Sequence, residues 1–127
     1  MRAVRVALVE DNRLFRETLA LVLGLIDGVE VVGSFAGGAE ALNACEQLRP
    51  DVAVIDYRMP GLDGAEATRA LLAMSPETRV VCLTASVSNE ERELVLAAGA
   101  VSCLTKDESL ERIADTILEL ARTKGPP

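Results

Sequence analysis

Residues Val52–Ile55 are apolar at every position, and this segment constrains the fold of the 127-residue chain more than any other feature. An uninterrupted apolar run of strand length is typical of a parallel β-strand that is covered on both faces. Other short runs rich in β-branched residues precede and follow it along the chain. The five predicted strands are residues 5–9, 30–35, 52–56, 79–84 and 102–104.

Apolar residues recur at helical spacing after each predicted strand. The predicted core-facing stripes are Phe15, Leu19, Val22, Leu23 and Ile26; Ala41, Cys45 and Leu48; Ala67, Leu71 and Met74; Leu94, Val95 and Ala98; and Leu110, Ile113, Ala114, Ile117, Leu120 and Ala121. Successive β-α units predict a doubly wound α/β fold, with a parallel sheet covered by helices on both faces. In open sheets of this kind the functional crevice lies at the carboxyl ends of the strands.

The chain contains no histidine, and its formal net charge is −7. The missing imidazole excludes the common zinc sites and the Ser-His and Cys-His nucleophile pairs. The negative charge argues against a nucleic-acid surface, because the phosphate backbone would be repelled. Any chemistry must therefore rely on carboxylates, hydroxyls, a few Lys or Arg side chains, or a metal ion.

The three cysteines, Cys45, Cys82 and Cys103, lie in apolar contexts without metal-type spacing. This pattern predicts buried thiols in a reducing compartment. The longest aliphatic run, residues 19–26, is too short to span a bilayer, and the N-terminus lacks a signal-peptide layout. We therefore expect a cytoplasmic protein with no membrane partner.

Polar side chains stand at the carboxyl ends of most predicted strands. They are Glu10 and Asp11 after the first strand, Asp56 at the end of the third, Thr84 at the end of the fourth and Lys106 after the fifth. A parallel sheet would bring these groups to one edge, where clustered carboxylates cannot all stay ionised without a counter-charge. A solvent-open carboxylate pocket suits Mg²⁺, and a carboxylate beside a metal and a lysine can act as a nucleophile toward phosphorus.

Each of these residues also has a purely structural explanation when it is taken alone. A strand-end aspartate is commonly a turn residue or a helix cap, and Lys106 would then be a solvated surface charge. Glu10 and Asp11 would favour the N-terminus of the following helix through its dipole. The functional interpretation depends on all of them reaching the carboxyl ends of different strands.

Motifs around these residues occur in a characteristic order. They are Val9-Glu10-Asp11-Asn12, Asp56-Tyr57-Arg58-Met59-Pro60-Gly61-Leu62-Asp63-Gly64, Thr84-Ala85 and Lys106-Asp107. From residue 5 to about 122 the chain resembles the receiver domain of two-component response regulators (CheY-like superfamily), and its Lys-Asp pair resembles the LuxR/NarL type. The resemblance implies a flavodoxin-like (βα)5 fold with strand order 2-1-3-4-5. It also implies a receiver domain over residues 1–122, with residues 123–127 beginning a linker to an output domain.

The resemblance assigns a part in phosphoryl transfer to the strand-end residues. It makes Asp56 the residue that a partner histidine kinase phosphorylates. The implied Mg²⁺ ligands are Asp11, Asp56, the backbone carbonyl of Arg58 and, through a metal-bound water, Glu10. Thr84 would hydrogen-bond the phosphoryl group, and Lys106 would pair with its charge.

Three further positions modulate the phosphoryl group in this family. Ala85 matches a small residue that leaves the group room. Arg58 and Ser86 lie two places beyond Asp56 and Thr84, and both positions influence how long the group survives. The long cationic side chain of Arg58 would screen the aspartyl phosphate from water. We therefore expect Arg58→Ala to change the rate of dephosphorylation more than the rate of phosphorylation.

Cys103 departs from the family pattern. Receivers usually carry Tyr, Phe or His three residues before the lysine, and this ring turns inward as the threonine moves. We expect the response of the face formed by the fourth helix and fifth strand to be weaker or differently routed. Amide shifts on addition of beryllofluoride would test this, and large shifts around Cys103 would contradict it. A redox role for Cys103 is the alternative to simple packing.

The first predicted helix carries a second apolar line, formed by Leu14, Leu21 and Leu25, away from its core-facing stripe. One interpretation is that the fifth helix covers this line. The other is a homodimer patch that uses helices 1 and 5, a mode known for this subfamily. Light scattering of Leu21→Glu or Leu25→Asp distinguishes the two.

The principal prediction is a phosphorylation-dependent receiver that switches conformation or dimerisation to control an output, and that acts on no substrate other than itself. DNA would be contacted only through an output domain outside this chain. A phosphorylation-independent pseudo-receiver is one alternative. A haloacid-dehalogenase-type phosphatase is another, but it needs a second Asp where this chain has Arg58. A flavodoxin-like flavin binder needs a phosphate-binding Ser/Thr loop, and Glu10 and Asp11 would repel phosphate.

Overall fold

The computed structural model describes residues 3–122, in which strands and helices alternate. The strands are β1 (Val4–Val9), β2 (Val29–Phe35), β3 (Val52–Ile55), β4 (Arg79–Thr84) and β5 (Ser102–Thr105). The helices are α1 (Arg13–Gly24), α2 (Gly38–Leu48), α3 (Gly64–Met74), α4 (Asn89–Ala97) and α5 (Leu110–Arg122). Every predicted strand is present, with ends that differ by one residue at most. The predicted linker at 123–127 lies outside the described residues.

The strands form one parallel sheet in the order β2-β1-β3-β4-β5. The expected doubly wound α/β fold and its strand order are confirmed. The chain winds outward from β1 to β2 and then returns to β3, so that β1 and β3 are neighbours at the point where the winding direction reverses. The crevice above this pair is where open α/β sheets bind their ligands.

The central strand β3 is buried along its whole length because helices cover both faces of the sheet. Val52 and Val54 belong to the layer that contains α1 and α5, whereas Ala53 and Ile55 belong to the layer of α2, α3 and α4. An apolar residue is therefore needed at every position of this strand. All three cysteines are buried free thiols in the second layer, as the sequence predicts.

Side-chain caps fix the starts of the helices that follow the site loops. The Asn12 side chain accepts the Phe15 N–H at 2.9 Å and begins α1. Asp63 with Glu66 forms a capping box at α3, and Ser88 with Glu91 forms another at α4. In each box the two residues satisfy one another's backbone N–H groups, which the helix itself leaves without a partner.

Two expectations about apolar residues are wrong. Leu94 does not face the core: α4 buries only Val95, and the adjacent Leu94 points about a quarter turn away from it and is exposed. The idea that α5 covers the second apolar line of the first helix also fails, since Leu14, Leu21 and Leu25 are 77%, 66% and 77% exposed. α5 packs instead against the stripe of α1 that contains Leu19 and Leu23.

None of the helices within residues 3–122 has both the length and the apolar character that crossing a membrane requires.

Candidate functional site

The backbone places the strand-end residues at one edge of the sheet. The N–H of Glu10 donates to the carbonyl of Phe35 at 2.9 Å, and the N–H of Asp56 donates to that of Val9 at 3.0 Å. Lys106 donates its N–H to the carbonyl of Thr84 at 2.9 Å. These bonds extend the hydrogen-bond ladder of the sheet one residue beyond β1, β3 and β5. The backbone positions of Glu10, Asp56 and Lys106 are therefore fixed by the sheet.

Three carboxylates meet above β1 and β3. One oxygen from each of Glu10, Asp11 and Asp56 lies within 4.8 Å of the others. Glu10 and Asp56 are buried, while Asp11 is exposed at the mouth. Three carboxylates in so small a volume repel one another unless a cation compensates their charge.

Lys106 supplies part of that compensation. Its Nζ lies 2.5 Å from Glu10 Oε1 and 3.1 Å from Asp56 Oδ2. The ammonium also lies 4.6 Å from the centroid of the Phe15 ring, on the first turn of α1. Burial alone would lower the pKa of Lys106, but its contacts with the two carboxylates outweigh that effect and raise the pKa. The lysine is therefore firmly charged.

Glu10 has both carboxylate oxygens engaged by the protein. Oε1 contacts Lys106, and Oε2 accepts the backbone N–H of Asn12 at 2.8 Å. Burial raises the pKa of Glu10, and the nearby charge of Asp56 adds to the rise, although the hydrogen bonds from Lys106 and Asn12 oppose it. A carboxylate held in this way suits an indirect contact with a metal better than a direct one.

The donor set fits a magnesium ion. The Lys106 ammonium contacts two of the three carboxylates, Glu10 and Asp56, so the pocket retains a surplus of negative charge. Mg²⁺ prefers one or two carboxylates and several retained waters, which an exposed Asp11 beside a buried Asp56 can provide. These two aspartates are the residues best placed to hold the ion.

The loop between β3 and α3 is shaped by two glycines. Gly64 donates its N–H to the carbonyl of Tyr57 at 2.8 Å, and a Cβ at this position would lie 2.7 Å from the Cα of Tyr57. Gly61 has a φ of +87°, which residues with a Cβ rarely adopt. The turn directs the backbone N–H of Arg58 to Asp56 Oδ1 at 3.2 Å. The glycines therefore hold the loop close to the Asp56 carboxylate.

Thr84 ends β4, the strand beside β3, and is buried. Its hydroxyl donates to the backbone carbonyl of Ser86 at 3.3 Å, so the hydroxyl is turned toward the β4–α4 loop. Ala85 and Ser86 are exposed in that loop. The predicted hydroxyl thus lies at the end of the strand next to β3, and the predicted small residue, Ala85, lies in the loop that follows it.

The Arg58 side chain does not lie against Asp56. Its guanidinium Nη2 contacts Glu91 Oε1 at 2.6 Å, in the first turn of α4. Sequence reasoning missed both Glu91 and the contact between Phe15 and Lys106. The pattern Ser88-x-x-Glu91 is a recognisable capping-box signal, but nothing local connects it to Arg58, which is 33 residues away.

Cys103 packs against a second thiol. It lies opposite Cys82 in the register of β4 and β5, and both side chains are buried in the core. Burial raises the pKa of the Cys82 thiol, and Cys103 adds to the rise. The Cys82 thiol is therefore a poor nucleophile, and Cys103 is buried beside it, so packing accounts for this pair better than redox chemistry does.

Comparisons with known proteins agree on one family. The profile described as "Response regulator receiver domain" matches residues 6–118. "Response regulator GacA" of Pseudomonas viridiflava is 38% identical over 114 residues, which cover 90% of this chain and 53% of that protein. "Probable transcriptional regulatory protein NarL" of Mycobacterium tuberculosis is 38% identical over 122 residues, covering 94% of this chain and 55% of that protein. The chain thus spans about half the length of the curated relatives it matches.

Among solved structures, the signal receiver domain of the putative response regulator NarL from Mycobacterium tuberculosis superposes with a TM-score of 0.91 at 36% identity. The match covers 98% of this chain and 100% of that one. The similarity therefore extends over the complete arrangement of strands and helices.

Proposed function

This chain belongs to the response regulator receiver domain family, and from that premise we propose that it accepts a phosphoryl group on Asp56 from a partner histidine kinase. The observation that carries the proposal is the position of Asp56. It is buried at the carboxyl end of β3, 3.1 Å from Lys106, in a pocket shared with Glu10 and Asp11.

In the proposed transfer, an Asp56 carboxylate oxygen forms a bond to phosphorus. The phosphorus–nitrogen bond of the donor phosphohistidine breaks, and its electron pair goes to the imidazole nitrogen. Lys106 holds the negative charge that develops on the phosphoryl oxygens, and Thr84 donates a hydrogen bond once its hydroxyl turns from Ser86. When bound, Mg²⁺ supplies further neutralisation of phosphoryl charge, held by Asp11 and Asp56, with the Arg58 carbonyl as a further ligand and Glu10 acting through water.

The donor lies outside this chain. The 127 residues contain no histidine, so the phosphohistidine must lie outside this sequence, or a small phosphodonor must replace it. The chain would act on no other substrate: its chemistry is limited to gaining and losing its own phosphoryl group.

The output is proposed to be transcriptional. The matches to the relatives named as transcriptional regulators cover 58% and 55% of those proteins, and they include the receiver family region of this chain. We assign residues 1–122 to the receiver domain and 123–127 to the start of a linker. Any DNA contact would then come from a separate output domain.

A homodimer formed through α1 and α5 is the proposed assembly. Leu14 and Leu21 on α1, and Leu25 directly after it, are exposed because neighbouring α5 leaves them uncovered. Burying such side chains against a second copy would remove apolar surface from water. Phosphorylation would control either this association or the conformation of the domain.

Incubation with acetyl phosphate and Mg²⁺, followed by intact-protein mass spectrometry, tests the central claim. We expect one added phosphoryl group on the wild type and none on Asp56→Asn. The matched control is Asp63→Asn in the same loop, because asparagine also caps helices well and this variant should be phosphorylated normally. A wild type that gains no phosphoryl group from either acetyl phosphate or a phosphorylated kinase would instead support the pseudo-receiver alternative.

A further inference from the structure

The backbone and the side chain of Arg58 contact different parts of the molecule. Its backbone N–H donates to Asp56 Oδ1, whereas its guanidinium reaches across to Glu91 Oε1 at 2.6 Å. The guanidinium carbon lies 5.7 Å from the centroid of the Tyr57 ring. The side chain is therefore turned from the phosphoacceptor toward α4, although its backbone remains beside the acceptor.

Glu91 is fixed by the helix to which it belongs. The same oxygen that contacts Arg58 also accepts the Ser88 N–H at 3.0 Å, and the Ser88 hydroxyl accepts the N–H of Glu91 at 3.0 Å. The pKa of Glu91 lies below its usual value because of the Ser88 backbone hydrogen bond and, after it, the contact with Arg58. Glu91 is thus an ionised carboxylate in a defined place, and it determines where the arginine rests.

The ion pair is open to competition. The Arg58 and Glu91 side chains are 55% and 24% exposed, and ion pairs exposed to solvent are weak. A phosphoryl group on Asp56 would place a doubly charged set of oxygens beside the Arg58 backbone, and guanidinium groups bind phosphoryl oxygens well. The Arg58 guanidinium could then pair with either the Glu91 carboxylate or the phosphoryl group.

We propose that Glu91 is a positioning residue, which holds the Arg58 guanidinium away from the phosphoacceptor and so shortens the lifetime of the phosphoryl group on Asp56. This inference rests on the proposed function. It gives α4 a direct connection to the acceptor loop that does not pass through Cys103. The connection attaches to the capped first turn of a helix that buries only Val95.

The step affected is hydrolysis of the aspartyl phosphate. A water oxygen bonds to phosphorus, the bond from phosphorus to the Asp56 oxygen breaks, and its electron pair restores the carboxylate. Inorganic phosphate leaves, and a proton of the attacking water passes to solvent. An Arg58 side chain folded over the phosphoryl group would obstruct the approach of water, whereas one held by Glu91 would leave that approach open.

Glu91→Gln tests the proposal because glutamine also serves in a capping box, so the start of α4 is preserved while the charge is lost. After phosphorylation with acetyl phosphate and removal of the donor, we expect decay of the phosphoryl group to slow by about two- to fivefold, the range that an exposed ion pair allows. Arg58→Ala should speed decay. The double variant should decay like Arg58→Ala, since Glu91 acts only through the arginine.

Glu90→Gln is the matched control. Glu90 is exposed in the same turn and forms no ion pair within the described part of the chain, so its replacement should leave the decay rate unchanged. Equal decay of Glu91→Gln and wild type would overturn the proposal, as would a double variant that decays more slowly than Arg58→Ala. Phosphoryl incorporation is measured first: its absence in the wild type refutes the proposed function itself, whereas normal incorporation with unchanged decay refutes only the role of Glu91.

Discussion

An aspartate stands at each end of β3, and the two have opposite surroundings. At the amino end, Asp51 Oδ2 accepts the backbone N–H of Arg5 at 2.8 Å. Nearby, Thr78 donates its hydroxyl to the carbonyl of Pro50 at 2.7 Å and lies 2.7 Å from the Ser75 hydroxyl. At the carboxyl end, Asp56 shares one lysine with another buried carboxylate.

The difference separates structural polar groups from functional ones. Polar groups at the amino end have partners supplied by the fold, so they add stability and need nothing from solution. The carboxyl end retains a surplus of negative charge. Repulsion among its carboxylates lowers the free energy of unfolding unless a cation binds there. Substitutions at the two ends should therefore differ in the size and the sign of their effects on the free energy of unfolding.

The largest effect is expected for Lys106→Met in metal-free protein. The buried carboxylates of Glu10 and Asp56 would then lose the ammonium that they share, so the free energy of unfolding should fall by about 2–3 kcal/mol. Urea unfolding in the presence of a chelator measures the change, and added Mg²⁺ should recover part of it. Lys106→Arg, which keeps the charge, is the control. An unchanged unfolding midpoint for the methionine variant would mean that the two carboxylates do not depend on this ammonium.

Thr78→Val probes the amino end with a side chain of similar shape. Loss of the hydroxyl leaves the Pro50 carbonyl and Ser75 without this partner, and we expect a cost of about 1–2 kcal/mol that Mg²⁺ does not change. Thr116→Val serves for comparison, because its hydroxyl bonds the Arg112 carbonyl on the exposed side of α5. That variant should stay within about 0.5 kcal/mol of wild type. A Mg²⁺-dependent cost at Thr78 would contradict the separation of the two ends.

Asparagine at the two ends of β3 should change stability in opposite directions. In metal-free protein, Asp56→Asn removes one of three clustered carboxylates and should raise the free energy of unfolding by about 1 kcal/mol. Asp51→Asn weakens a charge-assisted hydrogen bond and should lower it by about 1 kcal/mol. Thermal unfolding of both variants in one buffer measures the sign of each change. Changes of the same sign would remove the basis of the comparison.

The smallest effect on stability is expected for Leu21→Glu, which lies on neither end of the sheet. Because its side chain is mostly exposed, the free energy of unfolding should change by less than about 0.5 kcal/mol. Light scattering should nevertheless show loss of a wild-type dimer. Arg13→Glu, another exposed position on α1, provides a control for added charge. A dimer that survives Leu21→Glu would exclude this face as the interface.

Periodicity located the strands because a buried parallel strand needs apolar residues on both of its faces, as Val52–Ile55 has. It also placed Asp56 and Lys106 at one edge, since parallel strands end on the same side. Periodicity failed for Leu94, because the short helix α4 buries only Val95 and leaves the adjacent Leu94 exposed to solvent. Spacing along the chain reports which residues share a helix face, but not how wide a face the neighbouring elements cover.

The sequence by itself determined the doubly wound fold, the family and the set of strand-end groups, because these depend on local pattern and on a motif of adjacent residues. Only the tertiary structure decided how those groups are used. Both oxygens of Glu10 are occupied, Lys106 rests against Phe15, and Arg58 is turned to Glu91. Each of these contacts depends on the distance and angle between elements that are packed independently, and no local pattern in the chain encodes that geometry.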